Sequence, residues 1–494
     1  MNLDRQSGVF LHPTSLPGPH GIGDLGAGAR TFLDFLDRAD QSLWQVCPLG
    51  PTSGAYGHSP YSSDSTFAGN PLLIDLRDLG ERGWLTEDEL DPPAAVAAGT
   101  VEYDPVARFK RDRLETAFER FRETGDSDRF AAFRERTAGW LDDYALFAAL
   151  GDEFDGAPWT EWPAGVAGRD PDALAASRDD LAEEIEFHAF VQWLFDDQWR
   201  RLREAAADRG VSLVGDVPMY VALDSADVWA NREAFALDGD RPSAVAGVPP
   251  NPGDDGQRWG NPVYDWEALA ADGYGWWLDR LDRLFDLVDV ARLDHFKGFD
   301  EFWAIPADAP SPAAGEWRPG PGAAFFEAVR AEFGELPFIA EDLGFLDEGV
   351  VGLREAFGIP GTRVPHYADW CAEHHRYKPA DYPRDCVAYT STHDTDTVVG
   401  YYRDLDDEVR DCLDYALATG GDEAGVAWDV LDAVWNSEAT VAMTTVPDLL
   451  ELGSEARFNT PGTVADNWRW RVRTDDLDGA LGDRLGTLTM ATLR

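Results

Sequence analysis

The chain has 494 residues and a large excess of acidic over basic side chains, 92 against 42, which gives a formal net charge of −50. Such a surface repels nucleic acids and anionic membranes, so neither is expected as a partner. Because 44% of the residues are hydrophobic and 12% are aromatic, the composition is typical of a folded protein and excludes a disordered acidic chain.

The basic residues are almost all arginines, since lysine occurs only at Lys110, Lys297 and Lys378. An acidic chain with so little lysine indicates a halophilic protein in a salt-rich cytoplasm, where ions screen the self-repulsion. The N-terminal region contains Asp4 and Arg5 and then prolines, so it lacks an apolar segment of signal-peptide length. No apolar run approaches the length of a membrane span. We therefore expect a cytoplasmic protein.

Four cysteines occur, and their spacing does not match the paired ligands of a zinc site. We interpret them as buried or free thiols in a reducing compartment. Neither a cofactor nor a metal ion is expected. The cysteines are Cys47, Cys371, Cys386 and Cys412.

Eight short apolar runs predict the strands of a parallel barrel. Between the first two runs, Phe32, Leu33 and Leu36 have the spacing of one helix face. Strand, helix and strand in this order favour a parallel arrangement. The predicted fold is therefore an α/β protein, a (β/α)8 TIM barrel. The runs lie at 8–11, 43–46, 212–217, 290–293, 338–340, 361–364, 387–392 and 441–444.

Two insertions interrupt the strand pattern. Residues 77–209 carry charged amphipathic helices, which predict a helical insertion between strands two and three. Residues 218–285 form a second, loop-rich insertion between strands three and four. Within it, the proline- and glycine-rich stretch 247–264 predicts a long ordered loop. We expect one catalytic domain over 1–494 that includes both insertions.

Three predicted strands end in carboxylates. Asp294 follows the fourth strand, Glu341 the fifth and Asp394 the seventh. Because the carboxyl ends of barrel strands hold the chemistry and a buried uncompensated acid is costly, three acids at one rim indicate a site. Glycosyl transfer needs one carboxylate to attack the anomeric carbon and one to protonate the leaving oxygen. The alternative for the fourth strand is a structural ion pair between Arg292 and Asp294, two apart on one strand face.

The segments around these acids resemble the catalytic motifs of 4-α-glucanotransferases, the amylomaltases or disproportionating enzymes of glycoside hydrolase family 77. The resemblance extends from Gly8 to Arg471. The motifs are Arg-Leu-Asp-His-Phe at 292–296, Ala-Glu-Asp-Leu-Gly at 340–344 and Thr-His-Asp-Thr-Asp-Thr at 392–397.

The resemblance implies the role of each acid: Asp294 as nucleophile, Glu341 as general acid/base and Asp394 as transition-state stabiliser. It implies that α-1,4-glucans or maltooligosaccharides are the substrates. Two other functions stay open. A hydrolase would use the same three carboxylates with water as acceptor. A non-catalytic glucan-binding protein would tolerate the loss of one of these acids, and none is lost.

Further residues are predicted to contact the sugar. The resemblance implies that Arg292 and His295 keep the nucleophile ionised and hydrogen-bond the sugar, and that His393 contacts the donor glucose. Tyr61 and Ser59 lie in a segment that resembles the family's substrate-lining loop after strand two. An aromatic ring can stack on a pyranose while a hydroxyl binds sugar oxygens. The alternative for this segment is a solvated surface loop.

Three candidate residues have equally simple structural explanations. Asp216 ends strand three and supports the site or forms a cap or salt bridge. Trp259 stands in the 247–264 loop, which the resemblance places over the cleft; it is a sugar platform or a core residue. Asn467 lies in a segment similar to the family's closing motif, where it reaches the sugar or packs the loop against the barrel.

The chain departs from the family pattern in two places. The residues after Pro250 are Asn-Pro-Gly at 251–253, where the family has an acid and often an aromatic residue. The run at 378–382 is Lys-Pro-Ala-Asp-Tyr, where the family usually has Leu-Pro-His-Asn-Tyr. Acceptor and chain-length preference are expected to depend on the first change, and no binding role is assigned to the second.

Overall fold

Eight parallel strands close into a barrel in the computed structural model, which describes residues 5–96, 99–124, 127–251, 255–344, 346–419 and 423–494. Neighbours in sequence are neighbours in the barrel, and the eighth strand pairs with the first. The predicted (β/α)8 barrel is confirmed. The strands are β1 (Gln6–Phe10), β2 (Leu43–Gln45), β3 (Ser212–Val217), β4 (Val290–Leu293), β5 (Phe338–Ala340), β6 (Gly361–Arg363), β7 (Cys386–Tyr389) and β8 (Val441–Thr445).

The barrel interior is filled by side chains and is a packed core. Branched residues dominate it, which suits strands that are buried on both faces. The outer faces of the strands pack against helices in a second, larger cluster that continues into the helices between β2 and β3. The interior cluster comprises Leu43, Val214, Val290, Ile339, Val364, Val387, Tyr389, Val441 and Met443.

The segment between β2 and β3 consists mainly of helices. Its three longest helices bury aromatic faces against one another, as the ring contact of Phe121 and Phe190 at 4.8 Å illustrates. The helices in this segment are Leu76–Glu81, Glu87–Leu90, Tyr103–Thr124, Ser127–Glu153, Ala164–Ala167, Pro171–Asp180 and Ala182–Ala207.

Other helices surround the barrel or connect its strands. None of the helices in the described residues is long and apolar enough to cross a membrane. These helices are Ala27–Arg38, Ala226–Ala230, Trp266–Ala271, Gly275–Leu287, Lys297–Asp300, Gly322–Phe333, Glu348–Ala356, Val398–Asp404, Asp407–Leu417, Val426–Asn436, Val446–Leu449 and Gly479–Ala491.

A four-stranded antiparallel sheet stands where the sequence predicts loops. The interpretation of 247–264 as a loop is wrong in part, because Ala244–Val248 and Gln257–Pro262 pair as two strands. The sequence does not predict this pairing, because glycine and proline are typical of loops. An edge strand such as Gln257–Pro262 nevertheless tolerates them. Glu301–Pro306 and Glu316–Pro319 complete the sheet. Asn251 is described, but positions 252 and 253 of the altered segment lie outside the described residues.

The interpretation of all four cysteines as thiols is wrong for two of them. Cys371 and Cys412 form a disulfide, with Cα atoms 5.1 Å apart, within the distance that a disulfide bridges. Cys47 and Cys386 are buried free thiols. The disulfide ties the segment after β6 to the helix Asp407–Leu417.

Candidate active site

The register of β4 and β5 brings two of the predicted acids to adjacent positions on the rim. Leu293 pairs with Ala340, so the next residues are Asp294 and Glu341. The Glu341 N–H donates to the Leu293 carbonyl at 3.0 Å, and the Asp294 N–H donates to the carbonyl of Val217 on β3 at 3.0 Å. The barrel hydrogen-bond pattern therefore continues one residue past the strands and fixes both acidic residues.

The carboxylate of Glu341 is held by two main-chain donors. Oε2 accepts the N–H of His295 and Oε1 that of Leu343, each at 2.9 Å. His295 adopts a positive φ of 48°, which is uncommon for a residue other than glycine. Burial raises the pKa of Glu341 to about 7; the positive charge of Arg292 opposes this shift and the negative charge of Asp294 adds to it.

Arg292 lies between two acids. Its Nη1 contacts Asp216 Oδ2 at 2.7 Å and Asp294 Oδ1 at 3.0 Å. The guanidinium therefore forms the ion pair considered from the sequence and a second one with β3. Tyr61 donates its hydroxyl to Asp216 Oδ2 at 3.0 Å. Burial raises the pKa of Asp216 to about 6 even though Arg292 opposes the shift.

Each carboxylate oxygen of Asp394 has a nitrogen partner. His393 Nε2 lies 3.0 Å from its Oδ2, and Asn459 Nδ2 donates to its Oδ1 at 2.7 Å. Arg457 donates to its main-chain carbonyl at 2.7 Å. Burial alone would raise the pKa of Asp394, but the charge and hydrogen bond of His393, with that of Asn459, hold it well below its usual range. Asp394 is therefore an anion at neutral pH.

Aromatic rings flank the acids. Tyr61 stacks on His393 with ring centroids 5.1 Å apart and lies 6.1 Å from Trp468. Trp259 meets the His295 ring edge to face at 5.0 Å and is 38% exposed. The core alternative for Trp259 therefore does not apply, and the indole stands beside the acidic rim with one side open.

Two predicted contacts have local partners. Ser59 accepts the N–H of Tyr61 on its hydroxyl oxygen at 3.3 Å, so it shapes the loop that carries this ring. Asn467 accepts from the Thr460 N–H at 2.9 Å and donates to the Thr463 carbonyl at 3.0 Å. These bonds match the loop-packing alternative for Asn467.

Sequence reasoning missed three residues at this rim. Arg457 and Asn459 hold Asp394 from a loop that follows β8, and no local sequence pattern marks either residue for this role. Tyr367 follows β6, and the charges of Glu341 and Asp394 add to burial in raising its pKa. In the altered 378–382 run, Asp381 pairs with His374 at 2.9 Å within its own turn.

A closed parallel barrel with acidic side chains beyond the carboxyl ends of its strands has the architecture of a TIM-barrel enzyme. The chain belongs to glycoside hydrolase family 77: the family's sequence model, described as 4-alpha-glucanotransferase, matches residues 11–476.

Several relatives match over all or nearly all of their length. The 4-alpha-glucanotransferase of Thermus thermophilus is 44% identical over 505 aligned positions, covering 100% of each chain. The Synechocystis enzyme of the same name is 42% identical and covers 99% of this chain and 98% of its own. The solved amylomaltase of Streptococcus agalactiae, in complex with acarbose, superposes with a TM-score of 0.95 at 35% identity and covers 99% of both chains.

Proposed function

We propose that this enzyme transfers α-1,4-glucan segments from a donor to an acceptor maltooligosaccharide or glucose by a retaining double displacement. The observation that carries the proposal is the adjacent placement of Asp294 and Glu341 at the ends of β4 and β5, with the pKa of Glu341 near 7. Asp294 is thereby suited to attack the anomeric carbon, and Glu341 is suited to give and take the proton.

In the first step, a carboxylate oxygen of Asp294 attacks the anomeric carbon of the donor. The bond to the glycosidic oxygen breaks, and Glu341 gives its proton to that oxygen, so the reducing-end fragment leaves as an alcohol. A β-linked glycosyl-enzyme remains. Asp394, held ionised by its donors, faces the positive charge that develops on the sugar.

In the second step, Glu341 removes the proton from the 4-hydroxyl of an acceptor glucan. The hydroxyl oxygen attacks the anomeric carbon, the bond to Asp294 breaks, and the product has the α configuration again. Glu341 must be protonated in the first step and ionised in the second. A pKa near neutrality meets both needs. The mechanism also predicts carboxyl groups of Asp294 and Glu341 about 5 to 5.5 Å apart.

The residues around the acids have supporting roles. Arg292 binds both Asp294 and Asp216 through its Nη1, and His393 and Tyr61 form a stacked pair that we assign to the donor glucose. Trp259 offers an open indole face on which a sugar ring can stack. His295 takes a sugar hydroxyl on its Nε2, a buried nitrogen that has no partner within the described residues.

Incubation with maltotriose tests the function. Transfer yields glucose and a ladder of longer maltooligosaccharides while the total number of reducing ends stays constant. A rise in reducing ends without a ladder would instead establish a hydrolase. The reaction should be run in concentrated potassium chloride, because we also propose that the enzyme works in a salt-rich cytoplasm, where ions screen its formal charge of −50.

A further inference from the structure

One fully buried acid has no part in the chemistry above. Asp448 lies in the helical turn Val446–Leu449, directly after β8, and none of its surface is exposed. Burial raises its pKa, and the hydroxyl and main-chain donors around it oppose that rise. A buried carboxylate is costly unless it is well bonded, so its contacts indicate what it holds in place.

The Asp448 carboxylate bonds to both ends of one segment. Its Oδ2 accepts the hydroxyls of Thr390 at 2.6 Å and Ser391 at 2.5 Å, and its Oδ1 accepts the N–H of Val398 at 2.8 Å. Thr390 is the first residue after β7, and Val398 begins the helix Val398–Asp404. The carboxylate therefore closes the base of the loop 390–398.

The same hydroxyls join this loop to β8. Thr390 Oγ1 lies 3.0 Å from Thr444 Oγ1, and Ser391 Oγ lies 3.1 Å from Thr445 Oγ1. All four hydroxyl side chains are almost fully buried. An acceptor lost from such a network leaves its donors unsatisfied in a dry interior, so the loop base has a single well-bonded geometry.

His393 and Asp394 stand in the middle of the loop 390–398. Asn459 binds both residues. Its side chain donates to the Asp394 carboxylate, and its main-chain N–H donates to the His393 carbonyl at 3.1 Å. Asp448 therefore fixes the two ends of the loop that carries Asp394, and Asn459 binds the Asp394 carboxylate directly.

We propose that Asp448 is a positioning residue for glycosyl transfer, which sets the place of the Asp394 carboxylate by clamping both ends of its loop. This inference rests on the role proposed above for Asp394. The alternative is that the Asp448 network only stabilises the fold. The two differ in what they predict for kcat and for the coupling with Asp394.

The first test measures kcat and KM for maltotriose transfer by Asp448→Ala. A displacement of about 1 Å in a catalytic group costs about a hundredfold in rate, so we expect kcat to fall by about that factor. KM should change by less than about twofold, because the lost interaction is made in the transition state. Asp448→Asn keeps an oxygen that can accept from Val398, so its kcat should lie between those of wild type and Asp448→Ala.

A double-mutant cycle separates positioning from stability. The donor is α-maltotriosyl fluoride, whose leaving group needs no acid and keeps slow variants measurable. If Asp448 acts through Asp394, then Asp448→Ala should lower the rate of Asp394→Asn by less than about threefold, since coupled residues are not additive. The full loss of about a hundredfold in that background would overturn the inference.

Two further variants accompany these tests, one as a control and one in case Asp448→Ala does not fold. Asp197→Asn changes a buried carboxylate that binds arginines in the helices between β2 and β3, and it should leave kcat unchanged. If Asp448→Ala does not fold, Ser391→Ala removes one donor, and unchanged kcat in that variant would overturn the inference.

Full activity of Asp394→Asn would reject the proposed function itself. An impaired Asp394→Asn beside a fully active Asp448→Ala would reject only the role of Asp448.

Discussion

The carboxylate of Glu341 accepts a hydrogen bond from the main-chain N–H of His295 at 2.9 Å. His295 directly follows Asp294. The proposed acid/base is therefore hydrogen-bonded to the main chain one residue after the proposed nucleophile. This contact keeps Glu341 oriented beside Asp294 in a partly buried site, where removal from water raises its pKa to about 7.

The rate of the first chemical step should therefore depend on the protonation of Glu341. We expect kcat/KM for maltotriose to fall above about pH 7, because the acid form that protonates the leaving oxygen is lost as pH rises. With α-maltotriosyl fluoride as donor, glycosylation needs no acid, so its rate should lose this alkaline limb. Retention of the limb with the fluoride would contradict the assignment.

Glu341→Gln should make the fold more stable at high pH. The pKa of Glu341 rises from 4.5 to about 7 on folding, so between these values the native state holds a proton that the unfolded state has lost. The cost of ionising Glu341 is absent below about pH 4.5 and complete above about pH 7, where it amounts to about 1 to 3 kcal/mol.

Denaturant unfolding at pH 5 and pH 8 measures this difference. Relative to wild type, the variant should gain free energy of unfolding mainly at pH 8. Asp197→Asn is the matched control, since arginines and other donors lower the pKa of Asp197 despite its burial. An equal effect of Glu341→Gln at both pH values would contradict the raised pKa.

Asn459→Ala should impair turnover more than binding. Removing the donor to Asp394 Oδ1 leaves that oxygen with one fewer partner, and a hydrogen bond to a charged group is worth about 1.5 to 3 kcal/mol. We expect kcat to fall about tenfold or more, with KM little changed. Asn436→Ala, an exposed asparagine at the end of the helix Val426–Asn436, should have wild-type kcat.

Removing the disulfide should lower stability. The bridge between Cys371 and Cys412 closes a loop with a sequence separation of 41 residues, for which chain entropy gives at most about 4 kcal/mol. Cys412→Ser should therefore lower the denaturant midpoint under oxidising conditions. Alkylation of the unreduced, unfolded wild-type chain should label two of its four cysteines, and labelling of all four would show that the bridge is absent.

The barrel and its acidic rim follow from local sequence patterns. An apolar run that ends in a carboxylate, as at Ala340 and Glu341, indicates both a strand and the residue at which it ends. Closure of the barrel then brings such strand ends together. The antiparallel sheet was missed because Gln257–Pro262 has no alternating apolar pattern; its strand conformation depends on pairing with Ala244–Val248.

Contacts between distant segments could not be predicted in the same way. Asn459 reaches Asp394 across 65 residues, and the partners of Asp448 lie 50 to 58 residues away. Nothing in the local sequence distinguishes these residues from other loop asparagines and aspartates, since their position results from the packing of β7 beside β8. The disulfide is missed for the same reason.

The most direct test of the account is to trap the glycosyl-enzyme. Glu341→Gln incubated with α-maltotriosyl fluoride can form the intermediate, because fluoride leaves unaided, but it lacks the base that activates the acceptor. Peptide mass spectrometry should find one maltotriosyl group on Asp294, and the double variant with Asp294→Asn should carry none. Consumption of the donor with the label on another residue, or with no label at all, would contradict the double displacement through Asp294.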